Sequence, residues 1–537
     1  MQKLLLLFIV YIVLLSTNID AKIVKVNSLD DFNYDGHSEG NTFLINSPID
    51  LHGKSLELPY RSHLLFRRGG YFANGSLIGS ESRISQLNRN IFHNCSIEGK
   101  WNVKYASSRM FDSDLDALSL LQNLSNISRV IKLSSERDYY INAQDFEIVA
   151  DIIESTGKNK ATIYFHTQDP DSSGLIIVSN NLVLRRLIIV DDYCLENDSV
   201  FGPNNSLIGN TITIKALDKY VNNLTINDCS FMGGTSSSFV ASSQVKNCFV
   251  NNCFFSGYMA DHAVYCSKSV DNFSVKNCSI VDVTNAVGLF KVRSSNELHS
   301  FYLDRINAHN FNGYMAVVSL LDTSSAEIVF SNVNVTKSID NPSVFYGFCI
   351  TDETEGVGEN IFNARRLSFN DCFFDYGYES NSFVYPGAGK SAHIEEVNYY
   401  NIKARESNFG GCYAKSVSVV GCQFDDFLGK QGLSLQVQEL LMKRSRFTSN
   451  RGDGLNYVFI LDSSTRSVAL SNIEMVINST YLFKINRMES IDFFLSNCTI
   501  SKLTRNLIYA PRDCVINIRE DHNHFHVDTS YQTITSD

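Results

Sequence analysis

Between residues 222 and 281 one short phrase is written three times: NNLTINDCSF, VKNCFVNNCFF and NFSVKNCSIV. Leu224 and Ile226 lead through Asn227-Asp228 to Cys229 and Phe231. Cys248 and Val250 lead through Asn251-Asn252 to Cys253 and Phe255, and Phe273 and Val275 lead through Lys276-Asn277 to Cys278 and Ile280. Alternation with a period of two marks strands, and the change of parity at the polar pair marks a corner between two strands. Recurrence at this spacing marks a solenoid, in which each turn buries its inner face only against its neighbours.

The phrase continues far beyond these three copies. Starting residues that fit are Leu182, Leu224, Cys248, Phe273, Phe301, Ile328, Leu367, Val397, Val417, Leu440, Val468 and Phe493, with steps of 20 to 39 residues from Leu224 onward. The longest step, from Ile328 to Leu367, marks an insertion containing TDETEGVGEN, and another insertion, DDYCLENDSVFGPNN, follows Leu182. Such loops wall a groove when they gather on one flank.

With 537 residues, 44% of them hydrophobic and 19% charged, the chain has the material of a large folded protein. A net charge of −11 argues against nucleic acid as a partner. The chain opens with Lys3, an apolar run from Leu4 to Leu15 and a small residue at Ala21. This is read as an export signal, residues 1–21, cleaved after Ala21. A membrane anchor is the rival reading, but the run is short for a span. The expected location is the periplasm, the cell surface or the medium, with no membrane span and a monomeric chain.

Thirteen cysteines in an exported chain raise the question of disulfides. Yet Cys229, Cys253, Cys278, Cys372, Cys422 and Cys498 all occupy the first inward position after the corner. The expectation is a ladder of buried thiols acting as small apolar residues. No C-x-x-C pair and no zinc spacing is present.

Residues 22–110, rich in short strands broken by Gly and Asn, form an N-terminal β segment with one weak copy of the repeat at FHNCSI. Residues 111–510 follow as the main coil. They begin with cap candidates Asp112, Ser113 and Asp114 and a helical stripe on Leu115, Leu118, Leu121 and Leu124. Residues 511–537 form a capping strand or tail. His522, His524 and His526 alternate there, as metal ligands or as ordinary polar positions.

Asp114, Ala117, Leu118, Leu121 and Gln122, followed by an apolar strand at Val130–Leu133, resemble the Asp-rich turn, A-L-x-x-L-Q-like helix and V-x-L strand of the pectin-lyase-like right-handed parallel β-helix family. The resemblance covers about residues 111–510, carried by the repeat. It implies an all-β parallel β-helix with a helix covering the N-terminal end of the coil. The family includes lyases and hydrolases acting on uronic-acid polymers, and non-catalytic spikes and adhesins. It therefore implies an anionic polysaccharide as partner.

The third strand of each turn carries the candidate chemistry. It reads DHAVYCSKS over residues 261–269 and AVGLFKVRS over 286–294. With Val264, Cys266, Phe290 and Val292 facing inward, Tyr265, Lys291 and Arg293 are expected outward, Tyr265 and Lys291 one turn apart. His262 opens the first of these strands and Lys268 follows it. YLFKINR repeats the pattern later, with Lys484 outward and Arg487 beyond. Tyr, His, Lys and Arg without an obvious carboxylate pair suit β-elimination on a uronate. Arg293 neutralises the sugar carboxylate, Lys291 or His262 takes the C5 proton, and Tyr265 protonates the leaving oxygen. A neighbouring cation favours the neutral amine that a base needs. Lys268, Lys484 and Arg487 are expected to bind substrate. Ordinary surface charge is the competing reading.

A hydrolase needs two facing carboxylates. Asp191-Asp192 and Asp425-Asp426 are present, but the N-x-D, D-D, G-H-G and R-x-K series of the pectin-degrading hydrolases of this fold is absent. No cofactor is required and no metal ligand is assigned. Calcium, which some lyases of this fold bind, has its best acidic cluster at Asp352, Glu353 and Glu355, which equally suit an exposed loop. PGAGKS at 386–391 has Val384 where a phosphate loop needs its first Gly. The expected function is a secreted polysaccharide lyase. Glycosaminoglycan is favoured over pectate, because the acid-rich strands of the pectate enzymes are not evident on the central turns. A carbohydrate-binding or adhesive rod and a glycoside hydrolase are the alternatives.

Overall fold

The computed structural model describes residues 22–32, 39–85, 88–142, 144–166, 173–191, 210–234, 237–259, 262–285, 289–294, 298–311, 315–320, 326–337, 348–351, 362–375, 384–386, 392–405, 413–425, 433–449, 455–486, 490–511, 514–527 and 534–536. The export signal, the acidic stretch at 352–355, Arg487 and most of PGAGKS lie outside these residues. Strands dominate and their pairings are parallel throughout, the arrangement of a parallel β-helix solenoid. No helix among the described residues is long and apolar enough to cross a membrane. The chain divides into two compact units, Met1–Tyr164 with Leu175–Ile188, and Phe165–Gly174 with Ile189–Asp537.

In the second unit the repeat read from the sequence is the register of the sheet. Leu224 pairs with Cys248, Cys248 with Phe273, Phe273 with Phe301 and Phe301 with Ile328. Ile328 pairs with Leu367, Leu367 with Val397, Val397 with Val417 and Val417 with Leu440. Leu440 pairs with Val468 and Val468 with Phe493. Parallel pairing continues past residue 510, where Phe493 meets Ile518 and Thr499 meets His524.

The corner has a definite backbone device. Asp228, Asn252, Asn277, Asn332, Asp371, Asn401, Asn472 and Asn497, each the second residue of its polar pair, have φ between 51° and 55°. Asn and Asp tolerate this left-handed region better than other side chains, which explains why they recur. Their amides also bond from turn to turn. Asn252 Nδ2 donates to Asn227 Oδ1 at 3.2 Å, Asn401 Nδ2 to Asp371 Oδ1 at 2.6 Å, and Asn497 Nδ2 to Asn472 Oδ1 at 2.6 Å.

The next position explains the cysteines. Each thiol donates back to the carbonyl two residues earlier, Cys253 to Asn251 O at 3.2 Å, Cys278 to Lys276 O at 3.3 Å and Cys372 to Asn370 O at 3.2 Å. Where this position holds Ser445, its hydroxyl makes the same bond to Lys443 O at 3.0 Å. The thiol is therefore more than a small apolar filler: it bonds a corner carbonyl inside the coil. Ten cysteines, Cys349 not among them, are free thiols, nine of them buried.

Burial pushes the Cys372 thiol from 9.0 up to about 12 and the Cys422 thiol up to about 11. Above pH 9 the unfolded chain loses these protons while the native chain keeps them, so stability falls as pH rises. Each such thiol is expected to remove up to about 1.4 kcal/mol per pH unit until its folded value is reached. Denaturant midpoints measured from pH 8 to pH 11 should decline, and less steeply in Cys372→Ser, whose hydroxyl keeps the carbonyl bond.

Aromatic side chains stack inside the second unit. Phe273 lies 5.1 Å from Phe301 at 6°, Phe330 lies 4.9 Å from Phe369 at 16°, and Phe369 lies 5.3 Å from Tyr399 at 4°. Parallel, in-register strands force this overlap, because equivalent side chains sit about 4.8 Å apart along the coil.

The first unit differs from the sequence expectation in two respects. Residues 22–110 do not merely precede a coil; they form parallel turns of their own. Val24, Phe43, Leu64 and Ile84 pair in succession, 19, 21 and 20 residues apart, and Leu56, Leu77 and Ile97 form a second such row. The helix runs Ala117–Ile127, and its cap is Asp116, whose carboxylate accepts from Ser119 N at 2.9 Å. Its buried face is Ala117, Leu120, Leu121, Leu124 and Ile127, with Leu118 only partly covered. The later start rotates the buried stripe away from Leu115 and Leu118. The helix lies against strand Phe92–Trp101 and against the first turn of the main coil, strands Val130–Ser134, Asp138–Ile141 and Phe146–Val149. Asn123, 5% exposed, accepts from Ile97 N at 2.8 Å and donates to Cys95 O at 3.2 Å, and Asn126 donates to Ile97 O at 2.7 Å. These amides satisfy a strand edge that has no next strand at this point.

Candidate active site

The third-strand sheet of the second unit stacks Asn210–Lys215, Ser237–Ala241, His262–Cys266, Phe290–Ser294 and Ala316–Leu320 in parallel. Inward side chains, among them Ile212, Phe239, Val264, Phe290 and Val318, are essentially inaccessible. The alternate row runs Thr213, Val240, Tyr265, Lys291 and Val317.

The sequence expectation was an open strip of outward charge along this row. The structure corrects it. Thr213 and Val240 are each 6% exposed, Val317 is 2% exposed, and Lys291 itself is 6% exposed. Other parts of the chain cover this face, so a lysine that alternation alone would place in water is sheltered. His262 is fully buried, while Tyr265 and Arg293 remain half-buried.

Three of the proposed side chains meet. Tyr265 and Lys291 are register partners, and Lys291 Nζ lies 5.1 Å from the centroid of the Tyr265 ring. The His262 ring lies 4.7 Å from the same ring, tilted by 60°. Arg293 stands two residues beyond Lys291 on the same strand and pairs in register with Ser319. Burial of a lysine carries a desolvation cost, so this one is held by specific surroundings, the ring face among them.

The proposed binding residues do not join this group. Lys268 is exposed, beyond the end of its strand. Lys484 lies seven turns further along, roughly 34 Å at the usual strand spacing. There its Nζ sits 5.1 Å above Tyr457, in a cluster with Tyr481 and Tyr509. Burial and the neighbouring Tyr509 and Tyr481 raise the Tyr457 phenol above its ordinary value.

Of the two Asp pairs of the hydrolase alternative, Asp192 and Asp426 lie outside the described residues, and Asp191 and Asp425 are occupied and far apart. Asp191 is fully buried and accepts from Thr211 Oγ1 at 2.7 Å. Asp425 accepts from Thr448 at 3.0 Å and from Gln423 at 2.7 Å. At least seven turns separate them, roughly 30 Å or more, against the roughly 6.5–9.5 Å an inverting pair requires. Among the described residues no group of three or more His, Cys, Asp or Glu side chains is arranged to hold a metal ion. The sequence reading missed Asp191 with Thr211 as a buried pair two turns before Tyr265, and the cover over the row. Alternation names the inner face but carries no signal for what lies over the outer one.

No family model matches the chain, and no curated protein matches it. Among solved structures, a mutant of the PL6-family alginate lyase AlyGC is similar over 93% of this chain and 89% of that one, at 10% identity and a TM-score of 0.23. So loose a superposition carries no argument, and the fold rests on the registers above.

Proposed function

We propose that the protein is an exported polysaccharide lyase that cleaves a uronic-acid-containing chain by β-elimination. A glycosaminoglycan such as chondroitin sulfate, dermatan sulfate or hyaluronan is the favoured substrate and pectate the second. The observation that carries the reading is the Lys291 amine, sheltered at 6% exposure and packed on the Tyr265 ring. A base and a phenolic acid thereby stand side by side, beside the half-buried Arg293.

The electron bookkeeping needs no further reactant. Arg293 pairs with the sugar carboxylate and stabilises the charge that builds on it. The Lys291 amine takes the C5 proton. The released electron pair forms the bond between C4 and C5, and the bond from C4 to the glycosidic oxygen breaks. Tyr265 gives its proton to that oxygen. His262, packed against Tyr265, orients the phenol.

Incubation with chondroitin sulfate, hyaluronan, heparin, pectate and alginate tests the reading through the ultraviolet absorbance of the unsaturated uronate. A rise with at least one polymer, abolished by Arg293→Ala, is the expected result. Binding with no rise for any polymer identifies a carbohydrate-binding rod. New reducing ends without absorbance identify a hydrolase.

A further inference from the structure

Along the corner row of the second unit, the Asn and Asp series gives way singly at Arg305 and His522, and on two adjacent turns at Gly421 and Arg444. Gly421 (φ 67°) and Arg444 (φ 51°) stand between Asn401 and Asn472. Beside Gly421 and Arg444 a groove of about 620 Å³ opens, lined among others by Gln423, Arg446, Glu474 and Asn497. This volume lies within the roughly 300–1,000 Å³ of small-ligand sites.

Arg444 is the informative residue. A left-handed backbone disfavours a long side chain and favours Asn or Asp. Two other arginines in left-handed positions have partners within the fold. Arg186 donates to the carbonyls of Gly157 at 3.0 Å and Lys158 at 2.8 Å, and Arg305 pairs with Asp304 at 3.0 Å. Arg444, exposed and with no hydrogen-bond or ion-pair partner among the described residues, lines the groove instead. Arg446 beside it pairs with Glu474 at 3.6 Å, leaving a net positive charge in a chain of net charge −11.

We propose that this groove binds an acidic sugar unit, its carboxylate or sulfate held by the Arg444 guanidinium and its hydroxyls by the surrounding amides. A guanidinium fork fits either anion, and side-chain amides offer both donors and acceptors to hydroxyls. Arg444 lies six turns from Lys291, roughly 29 Å along the coil, and on a different row. The site extends the polysaccharide reading to a second point of contact but involves no elimination chemistry.

Titration calorimetry on the full chain carrying Lys291→Met, which prevents turnover, provides the test. The probes are a short oligouronate, a sulfated oligosaccharide of equal length and inorganic sulfate. At least one saccharide should bind, and Arg444→Asn should weaken it tenfold or more. That variant restores the residue type of the row, so its melting temperature should not fall. Gly421→Asn should weaken binding similarly by filling the groove, since a side chain there meets only Asn401 N, at 3.9 Å. Preference between the two saccharides assigns carboxylate or sulfate. Unchanged saccharide affinity in both variants, no saccharide binding, or binding of inorganic sulfate alone overturns the proposal. The absorbance assay reads elimination separately, so either result can fail without the other.

Discussion

Lys291→Met is expected to lower the elimination rate by roughly 10²–10⁴-fold, the range for losing a positioned general base, with substrate binding largely retained. Methionine matches the length of the lysine stem and suits a site 6% exposed, so the fold should hold. The proton-accepting amine is what disappears. Tyr265→Phe keeps the ring on which Lys291 Nζ rests at 5.1 Å and removes only the hydroxyl. It should therefore lower kcat with little change in thermal stability. A purely structural role for the pair predicts the reverse: Lys291→Met would lower the melting temperature, and Tyr265→Phe would leave the rate intact. Steady-state kinetics and thermal unfolding of both variants separate the two.

Phe369→Ala should be the most damaging single truncation in the core. The ring is inaccessible and stacked between Phe330 at 4.9 Å and Tyr399 at 5.3 Å. Truncating a buried Phe costs about 3–5 kcal/mol, and breaking two stacked pairs adds about 0.5–1.5 kcal/mol for each. Against a total stability of roughly 5–15 kcal/mol, this approaches the whole for the surrounding turns. A solenoid stabilises each turn only through its neighbours, so the loss should appear as early unfolding of the turns at Phe330, Phe369 and Tyr399. Phe254→Ala, at a position 36% exposed, should change the denaturant midpoint far less. Hydrogen exchange resolved along the chain would show the local opening.

The turns of the second unit were legible because a parallel, in-register coil repeats its inner positions without exception. From Leu224 to Phe493 each starting residue pairs with the next. Even the 39-residue step from Ile328 to Leu367 keeps register. The polar pair was legible for the same reason, although the left-handed angle that selects its second residue emerges only from the backbone. The turns before residue 110 were not legible. Their strands include three-residue pieces such as Pro48–Asp50 and Ser55–Glu57, too short for alternation to stand out. The Cys95 turn was recognised as a weak copy because it repeats the corner device, with Asn94 at φ 49° and the thiol bonded to His93 O.

For the candidate site, neighbourhood was legible and exposure was not. One turn of spacing brought Tyr265 and Lys291 together. Lys291 is buried on a row that alternation places outward, and no local pattern records that cover. Lys484 was grouped with them because YLFKINR resembles GLFKVRS, yet likeness of sequence in a solenoid means equivalence of place on separate turns. Gly421 and Arg444 were visible as departures from Asn in the corner pair, and only the open groove beside them gives that departure a meaning.

The mass of the fragments released from a uronate polymer by the wild-type chain tests the central claim most directly. Elimination moves a proton and breaks a bond without adding water, so each new non-reducing end should be lighter by one water molecule than the corresponding hydrolysis product. Fragments that have gained that water, or an intact polymer that the protein nonetheless binds, would contradict the account.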